Sequence, residues 1–130
     1  MAQTPERGDL VLINLDPQAG HEQAGRRTAI VLSPKLFNAK TGFAVICPIT
    51  NQRKGYPYEV DLPTNGIPVP GGAPVTGTIL VDQERTLDWQ ARRIKVLRSI
   101  EPDPKKQIAD DKTMIGIVED CLAKIATFLT

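Results

Sequence analysis

Residues that bind metal ions are scarce in this sequence. It contains one histidine, His21, and two widely separated cysteines, Cys47 and Cys121. A structural or catalytic zinc ion needs three or four such ligands close together. We therefore expect no metal site and no cofactor. Two cysteines also form no disulfide framework, and both have apolar neighbours, so we predict buried thiols in a reducing compartment.

An excess of charge of either sign is also missing. The chain carries 16 basic and 15 acidic residues, for a net charge of +1. A protein that binds nucleic acid by bulk charge is usually strongly basic, so any such site must be a local basic patch. The apolar fraction of 41% is typical of a folded domain and argues against disorder.

Long hydrophobic runs are absent as well. No run approaches the length that spans a membrane, and residues 1–7 lack the apolar stretch of a secretion signal. These features predict a cytoplasmic protein. A length of 130 residues indicates one domain, and neither repeats nor a linker divide it, so we treat 1–130 as a single unit.

Short apolar runs separated by turn residues dominate the first three quarters of the chain. They predict strands near 10–15, 28–32, 43–49, 58–62, 78–81 and 92–97, with a short helical turn at 35–38. A long loop rich in proline and glycine is expected at 63–77.

The C-terminal residues have a different pattern. Asp103 and Pro104 are typical of a helix start, and apolar residues then recur at helical spacing. The stripe comprises Ile108, Met114, Ile115, Val118, Cys121, Leu122, Ile125, Phe128 and Leu129. Many short strands followed by one helix predict an α+β fold, a small β-barrel carrying a C-terminal helix.

The segment 20–27, with sequence GHEQAGRR, holds several groups suited to phosphate chemistry. It contains the only histidine, a carboxylate, an amide and two guanidinium groups between glycines. It does not fit a P-loop, because no Ser or Thr follows a Lys and no βαβ unit surrounds it. On its own, the pattern is more typical of a solvated loop.

A second polar segment, 48–57, follows an apolar strand. Thr50 and Asn51 stand at the strand end, Arg53 and Lys54 are cations, and Tyr56 is suited to stack on a base. The simpler interpretation is a basic turn with a core tyrosine.

A third segment, 80–89, contains Asp82 and Gln83 after a short apolar strand. Asp82 is placed for acid–base chemistry or for holding a base. Trp89 is more typical of a core or a dimer interface than of a stacking platform.

Taken in order, these segments resemble the MazF/PemK/Kid family of toxin ribonucleases. The similar pieces cover nearly the whole chain: RGDLV at 7–11, GHEQAG at 20–25, VLSP at 31–34, PIT at 48–50, KGYP at 54–57 and DQ at 82–83. The family pattern usually has Pro where this chain has Thr28. Its PemK-like branch has Arg where this chain has Leu80, and the 63–77 segment is unusual.

The resemblance implies an SH3-like barrel, a homodimer, a cognate antitoxin with an acidic tail, and cleavage of single-stranded RNA at short sequences. It implies that Arg27, Thr50, Glu22 and His21 form the catalytic set. The residues expected to bind RNA are Gln23, Arg26, Asn51, Arg53, Lys54, Tyr56, Asp82 and Gln83.

The expected reaction is attack of a ribose 2′-OH on the adjacent phosphate, which leaves a 2′,3′-cyclic phosphate and a 5′-OH. Arg27 suits charge stabilisation, because its planar fork binds two oxygens and keeps its charge. Either Glu22 or His21 would act as the base, and the sequence leaves both open. Two other classes also remain, a CcdB-like gyrase poison and an RNA-binding barrel without catalysis.

Overall fold

The computed structural model describes residues 3–15, 26–55, 57–100 and 109–129 of the chain. Within them lie seven strands, two α-helices and one 3₁₀ turn. In chain order they are β1 (Leu10–Asn14), β2 (Arg26–Val31), α1 (Lys35–Thr41), β3 (Phe43–Thr50), β4 (Glu59–Asp61), β5 (Thr78–Leu80), the 3₁₀ turn (Val81–Gln83), β6 (Arg85–Asp88), β7 (Lys95–Arg98) and α2 (Ala109–Leu129). No helix in these ranges is long and apolar enough to cross a membrane.

The strands form one antiparallel sheet in the order β4-β5-β3-β2-β1-β7, and β6 also pairs with β3. This sheet with its C-terminal helix confirms the predicted α+β class. Every strand predicted from the sequence is present within a few residues of its expected position. The described pairings leave β4 and β7 at the two ends of the path.

Strand β3 organises the sheet because it pairs along both of its edges. Residues 46–48 pair with β2 on one side. On the other side, Ile49 pairs with Ile79 of β5 and Ile46 pairs with Arg85 of β6. Between these two pairs there are three residue steps along β3 but six along the chain from Ile79 to Arg85. The 3₁₀ turn takes up the three extra residues, so β5 and β6 act as one interrupted strand.

One side of the sheet, the helix face, packs against α2. Leu10, Ile30, Cys47 and Ile79 are buried there. They form one cluster with the residues of α2 that repeat at helical spacing: Met114, Ile117, Val118 and Cys121. Burial of apolar surface between a sheet face and a helix stripe is the main stabilising contribution in such a layer.

The opposite side, here called the Trp89 face, carries the alternate residues of the same strands. Ile13, Ala29 and Ile46 are fully buried there. Trp89 is only 4% exposed and belongs to this cluster, which confirms the core interpretation over a stacking platform.

The structure corrects three details of the sequence analysis. Strand β6 was not predicted, and Asp82 lies in the 3₁₀ turn rather than at a strand end. Ile115 and Leu129 of the predicted stripe are 45% and 69% exposed, whereas Ile117 is buried. The buried residues thus form a narrower stripe, because one helix contacts a sheet along one line. Asp103, Pro104 and Ile108 lie outside the described residues.

The proline- and glycine-rich segment also has more structure than a plain loop. Ile67 and Val75 exchange two backbone hydrogen bonds, of 2.8 and 2.9 Å, and form an antiparallel bridge. Both side chains are buried in the cluster on the helix face. Residues 67–75 therefore form a small hairpin anchored in the core.

A buried asparagine joins four parts of the fold. The Asn38 amide nitrogen donates to the carbonyl oxygens of Pro5 and Ser33, at 2.8 and 3.1 Å. The Ser33 hydroxyl donates to Asn38 Oδ1 and accepts from the backbone N–H of Val45. The Trp89 indole N–H donates to the Asn38 carbonyl at 2.9 Å. Asn38 thus ties the N-terminal segment, α1, β3 and the end of β6 together.

We predict that Asn38→Ala lowers the free energy of unfolding by about 2–3 kcal/mol, because it leaves two buried carbonyls and a buried hydroxyl unsatisfied. Urea denaturation followed by circular dichroism measures the change. Lys40→Ala, at an exposed position of the same helix, is the control and should cost less than about 0.5 kcal/mol. Equal effects of the two substitutions would contradict the role assigned to Asn38.

Candidate functional site

Two of the predicted catalytic residues lie at one end of the strand pair β2–β3. The register of the pair runs through Ala29↔Pro48 and Val31↔Ile46. If this register is continued by two residues beyond the Ala29–Pro48 pair, Arg27 lies opposite Thr50. Residues opposite one another in antiparallel strands share a face of the sheet. By strand alternation, Arg27 and Thr50 both belong to the Trp89 face, beyond the edge of its core.

The backbone around Thr50 is closely packed. The Thr50 hydroxyl accepts a hydrogen bond of 3.1 Å from the N–H of Gln52, which turns the chain as β3 ends. On the neighbouring strand, Thr78 pairs with Thr50. Gly77, just before it, has a φ of +121°, and a Cβ there would overlap the Thr50 carbonyl oxygen. Only glycine allows the segment to pass so near the end of β3.

The residues after Thr50 form an exposed polar turn. The Asn51 side-chain oxygen accepts a hydrogen bond of 3.1 Å from the Thr76 hydroxyl. The Arg53 guanidinium lies 3.3 Å from the carboxylate of Asp61, so part of its charge is neutralised. The backbone N–H groups of Lys54 and Gly55 both donate to the carboxylate of Glu59, at 2.9 and 3.0 Å.

Arg26, an expected RNA-binding residue, lies near the end of β1 together with two arginines that the sequence analysis did not select. Arg26 pairs with Asn14 across β1 and β2 and is exposed. The Arg85 guanidinium donates to the Leu15 carbonyl at 3.2 Å, and that of Arg92 donates to the Asn14 carbonyl at 3.5 Å. Leu87 among polar residues is the one sequence signal for β6, and the pairing of Arg85 with Ile46 places Arg85 on the Trp89 face.

Asp82 and Gln83 occupy a different part of the molecule. Both are exposed in the 3₁₀ turn, which packs against α2. Burial raises the pKa of the Cys47 thiol well above its ordinary value, and electrostatic interactions with Cys121, Glu84 and Asp82 raise it further. The Cys47 thiol donates to the carbonyl of Val81 at 4.0 Å, so the turn that holds Asp82 lies on the helix face. The described contacts do not join Asp82 or Gln83 to Arg27 or Thr50.

Both cysteines are buried, as predicted, and neither is suited to act as a nucleophile. Burial raises the pKa of the Cys121 thiol to about 12, and the charge of Asp120 adds to this shift. The thiolate is the reactive form of cysteine, so both side chains stay unreactive at neutral pH.

Four of the predicted site residues, His21, Glu22, Gln23 and Tyr56, lie outside the described residues. In the described part, the site therefore consists of a guanidinium, a hydroxyl, an amide and further cations at one end of β2 and β3. Such donors stabilise negative charge on an oxyanion, and Arg binds phosphate oxygens in a bidentate manner. Fold and site together define a small α+β protein with cations and hydrogen-bond donors gathered at one strand end.

Comparison with known proteins specifies the class further. Residues 6–111 match the model of the family described as PemK-like, MazF-like toxin of type II toxin–antitoxin system. The chain belongs to this family, which confirms the resemblance found in the sequence.

Relatives and solved structures agree with this assignment. The chain is 40% identical to the endoribonuclease toxin MazF of Escherichia coli K12 over 86% of this chain and 95% of the relative. It is 32% identical to the E. coli endoribonuclease PemK over 96% of this chain and 82% of that relative. Crystal structures of MazF and of a MazE–MazF complex from Deinococcus radiodurans have TM-scores of 0.72 and 0.74. Both are 38% identical in sequence to this chain. The matches cover 98% of this chain and 97% and 96% of the two crystallised chains, respectively.

Proposed function

We propose that the chain is a toxin endoribonuclease that cleaves single-stranded RNA, with Arg27 and Thr50 at the scissile phosphate. The class of enzyme follows from family membership and from relatives named as endoribonucleases. The single observation that supports the residue assignment is the register of β2 and β3, which, continued by two residues, sets a guanidinium opposite a hydroxyl on one face. The site of action is the cytoplasm.

The reaction is an attack of the ribose 2′-OH on the neighbouring phosphorus. The 2′ oxygen forms a bond to phosphorus, the bond to the 5′ oxygen breaks, and a 2′,3′-cyclic phosphate and a 5′-OH result. Charge accumulates on the non-bridging oxygens, where the planar fork of Arg27 binds two of them. The Thr50 hydroxyl donates a further hydrogen bond to phosphate while it accepts one from Gln52.

Proton transfer needs a base near the 2′-OH and an acid near the leaving oxygen. Glu22 and His21 are the candidates for the base. Arg26 and Arg85, near the end of β1, add positive charge for neighbouring phosphates. Asn51, Arg53 and Lys54 would contact the RNA from the turn after β3.

We expect the purified protein to cleave unstructured RNA in the presence of excess EDTA, because charge stabilisation comes from Arg27 rather than from a metal. The measurement is gel analysis of a long RNA, with mass spectrometry of the ends for cyclic phosphate and 5′-OH. Intact RNA would favour a binding barrel or a gyrase poison. Loss of cleavage with EDTA would contradict the metal-independent mechanism.

Arg27→Ala should reduce the rate of RNA cleavage about 100- to 1000-fold while the protein stays folded, since an exposed guanidinium contributes little to the core. Thr50→Val should also reduce the rate, and Thr50→Ser should preserve most of it. Lys112→Ala removes an exposed cation of α2 and is the matched control. A variant at Arg27 that cleaves like the parent would disprove the assignment, and one that unfolds would make Arg27 structural.

A two-fold homodimer is part of this proposal. Leu36 and Phe37 of α1 and Phe43 of β3 are 71%, 40% and 45% exposed. Neighbouring large apolar side chains at a surface are typical of an interface.

Light scattering should therefore give about twice the 14.2 kDa mass of one chain at micromolar concentration. Leu36→Glu should shift the population towards monomer, because it places a charge in the apolar surface. Lys40→Glu, on the same helix, is the control. A parent protein of 14.2 kDa under these conditions would contradict the dimer.

An antitoxin with an acidic tail is the expected partner, and the similar crystal structures include a MazE–MazF complex from Deinococcus radiodurans. Arginines that attract phosphates also attract carboxylates, since both groups are oxyanions. An extended acidic segment would thus occupy the surface that RNA uses, and it would become ordered on binding.

Titration of the cognate antitoxin, or of its acidic tail alone, should inhibit RNA cleavage in proportion to the fraction bound. Fluorescence anisotropy measures binding in the same samples. The inhibition should weaken as salt concentration rises, because exposed charges are screened. Full binding without inhibition would place the antitoxin on another surface.

A further inference from the structure

A cleft opens on the helix face next to the candidate site. It has a volume of about 480 Å³, within the usual range for small-molecule sites. Thr28 and Asn51, which directly follow Arg27 and Thr50 in the chain, both line it. We call it the hairpin cleft, lined among others by Leu12, Thr28, Asn51, Val75, Thr76 and Lys95.

The outer wall of the hairpin cleft is the 67–75 hairpin, and this wall is well anchored. The two hydrogen bonds between Ile67 and Val75 close the hairpin, and both side chains are buried. At its end, Gly77 packs directly against the Thr50 backbone, and Thr76 bonds to Asn51. The wall is therefore held in place by the same strand end that carries the candidate catalytic hydroxyl.

The chemistry of the hairpin cleft fits a nucleotide. Leu12 and Val69, which are both partly exposed, provide apolar surface for the flat side of a base, and Lys95 is an exposed cation of the same lining. The Thr76 hydroxyl donates a hydrogen bond to the side-chain oxygen of Asn51. This bond orients the amide, so that its N–H groups can donate to the edge of a base. Among the residues found to line the hairpin cleft, none is acidic.

We propose that the hairpin cleft binds a nucleotide flanking the cleaved bond and contributes to the sequence preference of cleavage, with Asn51 reading the base. This inference rests on the proposed ribonuclease function. The cleft and the Arg27–Thr50 pair lie on opposite faces at the same end of β2 and β3. An RNA chain that passes over this end would contact both.

The test fills the hairpin cleft and maps every cut in a long RNA of varied sequence by sequencing the new 5′ ends. Gly72 lines the cleft, has no positive φ, and a Cβ there would make an ordinary 3.4 Å contact with Val69. Gly72→Leu should therefore fold and block the cleft. Gly116→Leu is the matched control, because Gly116 is exposed on α2 and a Cβ there meets nothing.

For Gly72→Leu we expect the preference at one flanking position to fall about tenfold, with the control unchanged. Thr76→Val should weaken the same preference, because it frees the Asn51 oxygen and loosens the orientation of the amide. Affinity for an uncleavable RNA carrying 2′-deoxyribose at the cut site, measured by anisotropy, should fall in parallel for Gly72→Leu.

Unchanged cut sites and RNA affinity in both folded variants would overturn the role of the hairpin cleft, even if the parent cleaves RNA. The same holds if Gly72→Leu weakens only antitoxin binding, because the cleft would then be a protein-binding site. A parent protein that leaves all RNA intact would overturn the proposed function and, with it, this role.

Discussion

The hydrogen bonds of Asn38 hold together parts of the chain that apolar packing alone would leave free to shift. Its amide reaches Pro5 and Ser33, and its carbonyl receives the indole N–H of Trp89. Through Ser33 the same group orients the backbone of Val45 in β3. Directional bonds of this kind define one arrangement among several of similar apolar burial. The position of α1 over the Trp89 face depends on them.

The second constraint is the register of β3, which determines where the polar side chains meet. A slip of one residue would move every side chain of the strand to the other face. Ile46 would then move from the Trp89 face to the helix face, where it does not match the packing, and Thr50 would no longer share a face with Arg27. Because the buried side chains of both faces resist such a slip, core packing also positions the candidate site.

Much of the fold was predictable from local patterns. Short apolar runs located β1 and β3, because both faces of these strands carry buried side chains, and helical spacing located α2, because one stripe of the helix is buried. Strand β6 was missed, since Arg85, Thr86 and Asp88 are exposed and Leu87 alone indicates a buried side. Ile115 was expected to be buried, but the choice between it and Ile117 depends on which side of α2 meets the sheet.

The sequence by itself determined the types of element, their order, the scarcity of metal ligands and the residue types suited to phosphate. These follow from composition and from the periods of strands and helices, which are local properties. Only the tertiary structure decided that β2 and β3 pair in a register that, continued by two residues, sets Arg27 opposite Thr50, 23 positions away in the numbering. It alone placed Asp82 on the side of α2 and built a cleft from the 67–75 hairpin. Such contacts depend on strand pairing and on the packing of distant segments, which no short stretch of sequence encodes.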